Sequence, residues 1–408
     1  MLAEASDALL AAGDREGAAE AEGLLGWLLD FQGQGLLAEE HDRRAVALLE
    51  QSGPSAAKAF ALTNLTAALM ERGATEEALQ VGRQALAMAE ALQLDEQRSL
   101  ALTFLGSVRV ASGDPSGISE QEQAVAIAEA ARSPHSSMVY GNLSSSFSAL
   151  GDLARAFDLH VKAREAADRF GVAGMVTWMR SERVGFDYFQ GRWDDAFQGV
   201  EQLIAESEAG SQQGMEPVCR WTRARMRLAR GELDGALKDL TVGLELARLS
   251  DQPQMTLPLL ALHAHALLAA GDPGQAAAQA AQLLVAAADL RVPIMGLDWS
   301  GDLAVVLEAL GRGPELLELL AGGPAPTRWF QAGAAMAAGR FAEAADRYVE
   351  IGSLPDEAFA RLGAAERLLA AGARPEGSAQ LQRALAFYRQ VGAGGYLRRG
   401  EALLATPA

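Results

Sequence analysis

A single cysteine, Cys219, stands among 408 residues. No intrachain disulfide can form, and a reducing cytoplasm is the expected compartment. Lysine is almost missing: only Lys58, Lys162 and Lys238 occur, so nearly all of the 35 basic residues are arginines. Set against 53 acidic residues, they leave a formal net charge of −18. That balance argues against nucleic-acid binding by the chain as a whole, because holding phosphates requires a Lys/Arg excess. Isoleucine occurs five times, and a chain so poor in β-branched Ile but rich in Ala, Leu and Glu favours helix over strand.

Catalytic signatures are missing too. There is no Gly-x-x-x-x-Gly-Lys-Ser/Thr phosphate loop, nor any Gly-Lys dipeptide. No serine or cysteine sits in a Gly-x-Ser-x-Gly elbow. Five histidines and one cysteine give no ligand cluster; His263 and His265, two apart on a helix, point to different faces and cannot share one metal. No enzyme activity, metal or cofactor is expected. Glu4 and Asp7 occupy the place where an export signal would be positive. The twenty uncharged residues 252–271 are bilayer length, but Pro253, Pro258, His263 and His265 interrupt them, and a buried helix explains the stretch better than a membrane span.

What the chain does have is a period. Gly33, Gly73, Gly113, Gly151, Gly191, Gly231, Gly271 and Gly311 are separated by 40 residues, with one interval of 38. A fixed period in this range signifies a solenoid. Seven residues before each turn stand Gly26, Thr66, Gly106, Ser144, Val184, Ala224, Ala264 and Ala304, with Ala332 before a ninth glycine, Gly339. Five residues after the turns stand Ala38, Ala78, Ile118, Ala156, Ala196, Ala236, Ala276, Leu316 and Ala344. Small residues at both places let two helices cross closely at each turn. The serines around Ser144, Ser145, Ser146 and Ser148 read as close packing with hydroxyls bonded back to their own helix. Asp114-Pro115 and Asp272-Pro273 predict an N-cap followed by a first-turn proline, and Asp152 predicts a cap.

The expected fold is therefore all-α, a right-handed solenoid of about ten antiparallel helix pairs in which repeats touch mainly their neighbours, giving an elongated molecule. Residues 1–12 read as a half-unit before Gly13. Residues 1–326 form the array. After the loop of residues 322–326, residues 327–408 form a helical cap of the same solenoid, turning near Gly339 and Gly372.

Residues 58–92, KAFALTNLTAALMERGATEEALQVGRQALAMAEAL, with Leu65, Gly73, Ala78 and Ala85 in matching places, resemble the tetratricopeptide (TPR) pattern. The period is longer than the usual, which is about 34. The closing segment, residues 381–405, and the opening GDREGAAEAEGLLGWLL look like the C-terminal TPR region of large bacterial nucleotide-cyclase or AAA-type ATPase signalling proteins and of LuxR-like ATPase regulators. This resemblance implies a non-catalytic scaffold or sensor that binds a protein segment or small ligand. It would serve as the regulatory part of a signalling ATPase or cyclase system, or as a stand-alone adaptor or the sensor domain of a transcription regulator.

Two local departures mark a candidate binding face. Arg220, Arg223, Arg227 and Arg230 share one helical face, and Arg180 and Arg183 stand one repeat before Arg220 and Arg223. These residues form either a basic ladder for an acidic peptide or small anionic ligand, or a salt-bridged face with partners such as Glu182 and Glu216. Aromatics cluster in the same repeats. By the register of the TPR resemblance, Trp178, Tyr188, Phe189, Trp221, Arg225 and His265 fall on the concave wall. Aromatic residues and arginine are apt contact points there, and core filling is the alternative. The expected partner is a protein or peptide, without nucleic acid or membrane.

Overall fold

The computed structural model describes residues 2–210, 214–290, 298–324 and 326–405. Among these residues there are 22 helices and no strand. Helix α1 (Leu2–Ala11) precedes the first turn. The pairs that follow are α2 (Arg15–Phe31) with α3 (Gly35–Leu48), α4 (Ala56–Glu71) with α5 (Thr75–Ala91), and α6 (Asp95–Ala111) with α7 (Ser116–Ala131). Next come α8 (Ser136–Leu150) with α9 (Leu153–Phe170), α10 (Ala173–Phe189) with α11 (Trp193–Glu208), and α12 (Glu216–Arg230) with α13 (Leu233–Ser250). The last turn-linked pairs are α14 (Pro253–Ala269) with α15 (Pro273–Asp289), α16 (Ser300–Ala309) with α17 (Gly313–Ala321), α18 (Arg328–Ala337) with α19 (Phe341–Ile351), and α20 (Leu354–Ala370) with α21 (Arg374–Val391). Helix α22 (Gly394–Ala405) closes the chain. No helix among the described residues is long and apolar enough to cross a membrane.

Every periodic glycine takes a positive φ, from 71° at Gly311 to 86° at Gly271, the conformation that lets a helix stop and the chain reverse without a Cβ penalty. The paired small residues meet as the register requires. At Gly106 an added Cβ would come within 2.6 Å of the Gly117 carbonyl oxygen. Ser144 donates across the crossing to the carbonyl of Ala156, 2.7 Å away, so this hydroxyl bonds to the next helix and not back to its own. Asp152 and Asp272 cap α9 and α15. Pro115, and not Asp114, holds the N-cap position of α7, so that helix starts one residue later than expected. Ala236 is fully buried at the crossing of α12 and α13. Ala236→Leu will therefore overpack it and lower stability by about 1–3 kcal/mol in a thermal melt. A stability equal to the parent would mean the register is wrong.

Inner and outer helices bury different patterns. The outer α5 buries only Ala78, Gly82, Ala85 and Ala89, one stripe at helical spacing. The inner α6 buries an unbroken run from Ser99 to Val108, because it packs against its partner and both neighbouring inner helices.

The expectation of an elongated array of nearest-neighbour contacts is corrected. The solenoid returns on itself after ten helices: α13 packs on α3, α18 on α8, α20 on α10 and α22 on α12. Turn glycines form the seam. Gly33 abuts the backbone of Gly214, Gly231 that of Gly395, and an added Cβ at Gly35 would come within 2.5 Å of the Ser250 carbonyl oxygen. The amide of Gly214 donates to Phe31 (2.8 Å), and Trp329 Nε1 donates to Ser148 (2.8 Å). The accessible surface, 16680 Å², is near the roughly 15,000 Å² of a compact monomer of this mass. The stacked turns line an inner space, a lumen that opens to solvent.

Candidate functional site

The arginine ladder is engaged within the protein. Arg180 makes a two-pronged pair with Glu206 at 2.9 and 3.0 Å. Arg183 donates to Asp187 (2.9 Å) and lies over the Phe157 ring. Arg220 pairs with Glu216, Glu208 and Asp239. Arg223 and Arg227 converge on the same Asp239, at 2.6 and 2.7 Å. Helix α12 thus presents its arginine face to α13, where Asp239 is 1% exposed. This is the salt-bridged alternative, with Asp239 and Glu206 as partners the sequence did not single out.

Three of the wall residues meet in a second polar cluster. Arg225 on α12 reaches across to Asp356 on α20 (2.6 Å) and Asp302 on α16 (3.8 Å), lying over the rings of Trp221 and Tyr188. His265 Nδ1 is 2.8 Å from Asp302. Burial works against ionisation of Asp302, but Arg225 and His265 outweigh it and hold its carboxyl below the usual range. Tyr188, Arg225 and His265 surround a cavity of about 30 Å³ beneath α20, and Trp221 is 1% exposed core. None of these four faces an open groove.

Trp178 and Phe189 do face the lumen. Two chambers, each about 130 Å³, lie inside the first superhelical turn and share Ser145, Trp178 and Gln254 as a partition. That is near the volume of an engineered cavity of about 150 Å³ that accepts benzene. In the second chamber Phe186, Phe189, Met215 and Met255 form an apolar wall. Its Glu182 accepts from Trp178 Nε1 (3.1 Å) and Ser145 (3.3 Å).

The first chamber is bounded by α2, α3, α4, α6, α8 and α10, and by Ser250, Gln252 and Gln254 from the overlying turn. Trp27, Phe31 and Phe104 line it with Met70, Met138, Met175 and Met179. Three acidic side chains, Asp30, Asp42 and Glu71, enter the same space. Gln252 Nε2 donates to Glu71 (2.7 Å) and Asp30 (3.3 Å), clasping residues 181 and 222 positions away. Burial pushes both carboxyls up, Glu71 the further because Asp30 beside it repels a second charge.

Asp42 is pushed up to about 8, first by burial and then by the charges of Asp30 and Glu39. Its folded value lies above the unfolded one, so the neutral form is what folding favours. Its stabilisation is complete below about pH 4 and is lost as pH rises through about 8. Asp42→Asn will accordingly raise the melting temperature above pH 8 and leave it nearly unchanged near pH 4; the reverse order in pH-resolved melts would contradict this placement.

Sequence reading passed over Asp30, Asp42, Glu71 and Gln252. Only Asp42 carried a signal. It stands nine residues after Gly33, at the buried place that other repeats fill with Gly82, Val200, Leu240 and Ala280. Among the described residues no group of three or more His, Cys, Asp and Glu side chains is placed to hold a metal ion.

No protein-family model matches the chain, and no curated protein sequence is significantly similar to it. Solved structures do share its fold. One is a Rap protein complexed with Competence and Sporulation Factor, 16% identical over 68% of this chain and 75% of that one, with a TM-score of 0.53. Another is NprR in complex with its cognate peptide NprX, 12% identical over 81% of this chain and 97% of that one, with a TM-score of 0.54. At such identities the likeness concerns architecture, and the chain is a TPR-type helical superhelix.

Proposed function

We propose that this protein is a non-catalytic sensor or adaptor that binds a peptide segment inside the lumen of its first superhelical turn. The observation that carries the reading is the pair of contiguous chambers lined by aromatic and methionine side chains with a few inward polar groups, the usual make-up of a ligand site. The two fold neighbours were captured with Competence and Sporulation Factor and with the peptide NprX, which supports a peptide as the occupant. Trp178, shared by both chambers, and Phe189 are the proposed contact residues from the sequence. Arg180, Arg220 and Arg223 hold helix pairs together, Arg183 pairs within α10 and lies over Phe157 of α9, and Arg225 and His265 reach α20 across the turns with Tyr188 and Trp221 packed against Arg225. Residues 327–408 would act as the capping repeats that stack on the middle of the array. The likeness of residues 381–405 to signalling proteins supports a regulatory place in an ATPase or cyclase system.

The test is selection of peptides from a random display library, followed by binding to a variant whose first chamber is filled. Ala67 lines that chamber and is only partly buried. Ala67→Phe should abolish binding of selected peptides and preserve the melt; undiminished binding would refute a lumenal site.

A further inference from the structure

We infer that the first chamber selects the positively charged, apolar end of its ligand, an ammonium or guanidinium group of a peptide held among Asp30, Asp42 and Glu71. This deepens the lumenal peptide reading and rests on it. Its first support is charge. The chamber lining carries those three acidic side chains and one arginine, Arg72, which is already bridged to Glu39 (3.1 Å) and Asp251 (3.2 Å). The sign is opposite to that expected from the arginine ladder.

The second support is independent of the acidic cluster. Asn64, 1% exposed, lines the chamber, and its Oδ1 is buried without a hydrogen-bond donor, while its Nδ2 is spent on the Gly23 carbonyl (3.4 Å). Asp42, 3% exposed, has an equally donorless Oδ1. Buried acceptors are ordinarily satisfied. Here two of them share one cavity, and an ammonium or guanidinium brings donors and no acceptor. The rings of Trp27, Phe31 and Trp178 add faces that attract a cation, and the methionines adapt to the shank behind it.

The groups facing this space are Asp30 on α2, Asp42 on α3, Asn64 and Glu71 on α4, Arg72 after it, Asn142 on α8, and Gln252 and Gln254 from the overlying turn, with the charge of Glu39 on α3 acting on Asp42 from beside it. With its carboxyl pushed up to about 8, Asp42 is largely protonated near neutrality, and burial pushes Glu71 the same way. An entering cation favours the carboxylates and displaces protons, so affinity rises with pH.

Calorimetry with phenethylammonium, phenethyl alcohol and phenylacetate tests the inference without a peptide. The ammonium should bind at one site at least about tenfold more tightly than the alcohol, and the carboxylate more weakly still. Affinity for the ammonium should rise from about pH 7 to pH 9, with proton release seen as a buffer-dependent heat. Asp42→Asn with Glu71→Gln should erase the preference, and Glu182→Gln in the second chamber should leave it intact. Equal binding of alcohol and ammonium, no binding of the ammonium, or an unaltered preference in the double variant would overturn the inference. Selected peptides that bind the lumen without a basic residue or free amino group would also overturn it and leave the lumenal reading standing. A retained ammonium preference with no peptide bound would do the reverse.

Discussion

Asp239→Ala will be among the most destabilising single changes in this protein, lowering stability by about 3–5 kcal/mol, the range for breaking a buried ion pair from one side. Arg223, 12% exposed at its side chain, has Asp239 as its carboxylate partner at 2.6 and 2.9 Å. Arg220 would retain Glu216, and Arg227 would retain the distant Glu232 at 3.9 Å. The loss therefore centres on one guanidinium left between α12 and α13 with no counter-charge. A double change, Asp239→Leu with Arg223→Met, should recover much of the stability, because a well-packed apolar pair often replaces a buried ion pair at little cost. Denaturant melts of the three variants check both statements. A double variant no better than Asp239→Ala would show that the loss comes from packing and not from charge.

Arg225→Met should cost a similar amount, about 3–5 kcal/mol near neutral pH, by the same one-sided loss. Arg225 is the cation between Asp302 and Asp356, and it ties α12 to two later helices. Without it the two buried carboxyls repel each other and both shift upward. A folded value above the unfolded one gives stability that is present in acid and lost as pH rises. The penalty should therefore be large at about pH 8 and shrink towards about pH 4. A penalty that is constant with pH would assign Arg225 to packing over Trp221 and Tyr188 alone.

The local architecture was legible because it is written locally. A glycine that must take positive φ and two small residues at fixed offsets recur within each repeat, so Ser144 against Ala156 could be placed from spacing alone; in the repeat before it the close contact of Gly106 is Gly117, one residue short of the expected Ile118. The arginine face was legible as a face, and even its partner Glu216 was visible. Asp239 was not, since the decisive pairing runs between helices 16 residues apart.

The site itself was largely hidden. Asp30, Glu71 and Gln252 look like ordinary polar residues near helix ends; Asp30 and Glu71 meet between the packed helices α2 and α4, and Gln252 joins them only because the superhelix closes after ten helices. No periodicity of 40 residues reports where successive turns touch. Seam glycines such as Gly33 and Gly231 already had a sufficient local reason to be glycine, and that reason concealed the second one. Tyr188, Arg225 and His265 were assigned to an open wall for the same cause: an elongated solenoid would have exposed them, and the stacked turn covers them with α20.

Hydrogen exchange read by mass spectrometry on the protein with and without a selected peptide tests the lumenal site most directly. A ligand held inside the first turn should slow exchange in segments covering residues 67–71, 138–145 and 175–179, and at residues 252–254 of the overlying turn. The outer helices α9, α11 and α13 should be unchanged. Protection concentrated instead on α11 to α13, around Arg220 and Arg223, with the inner segments unaffected, would contradict a lumenal site and return the binding surface to the arginine face.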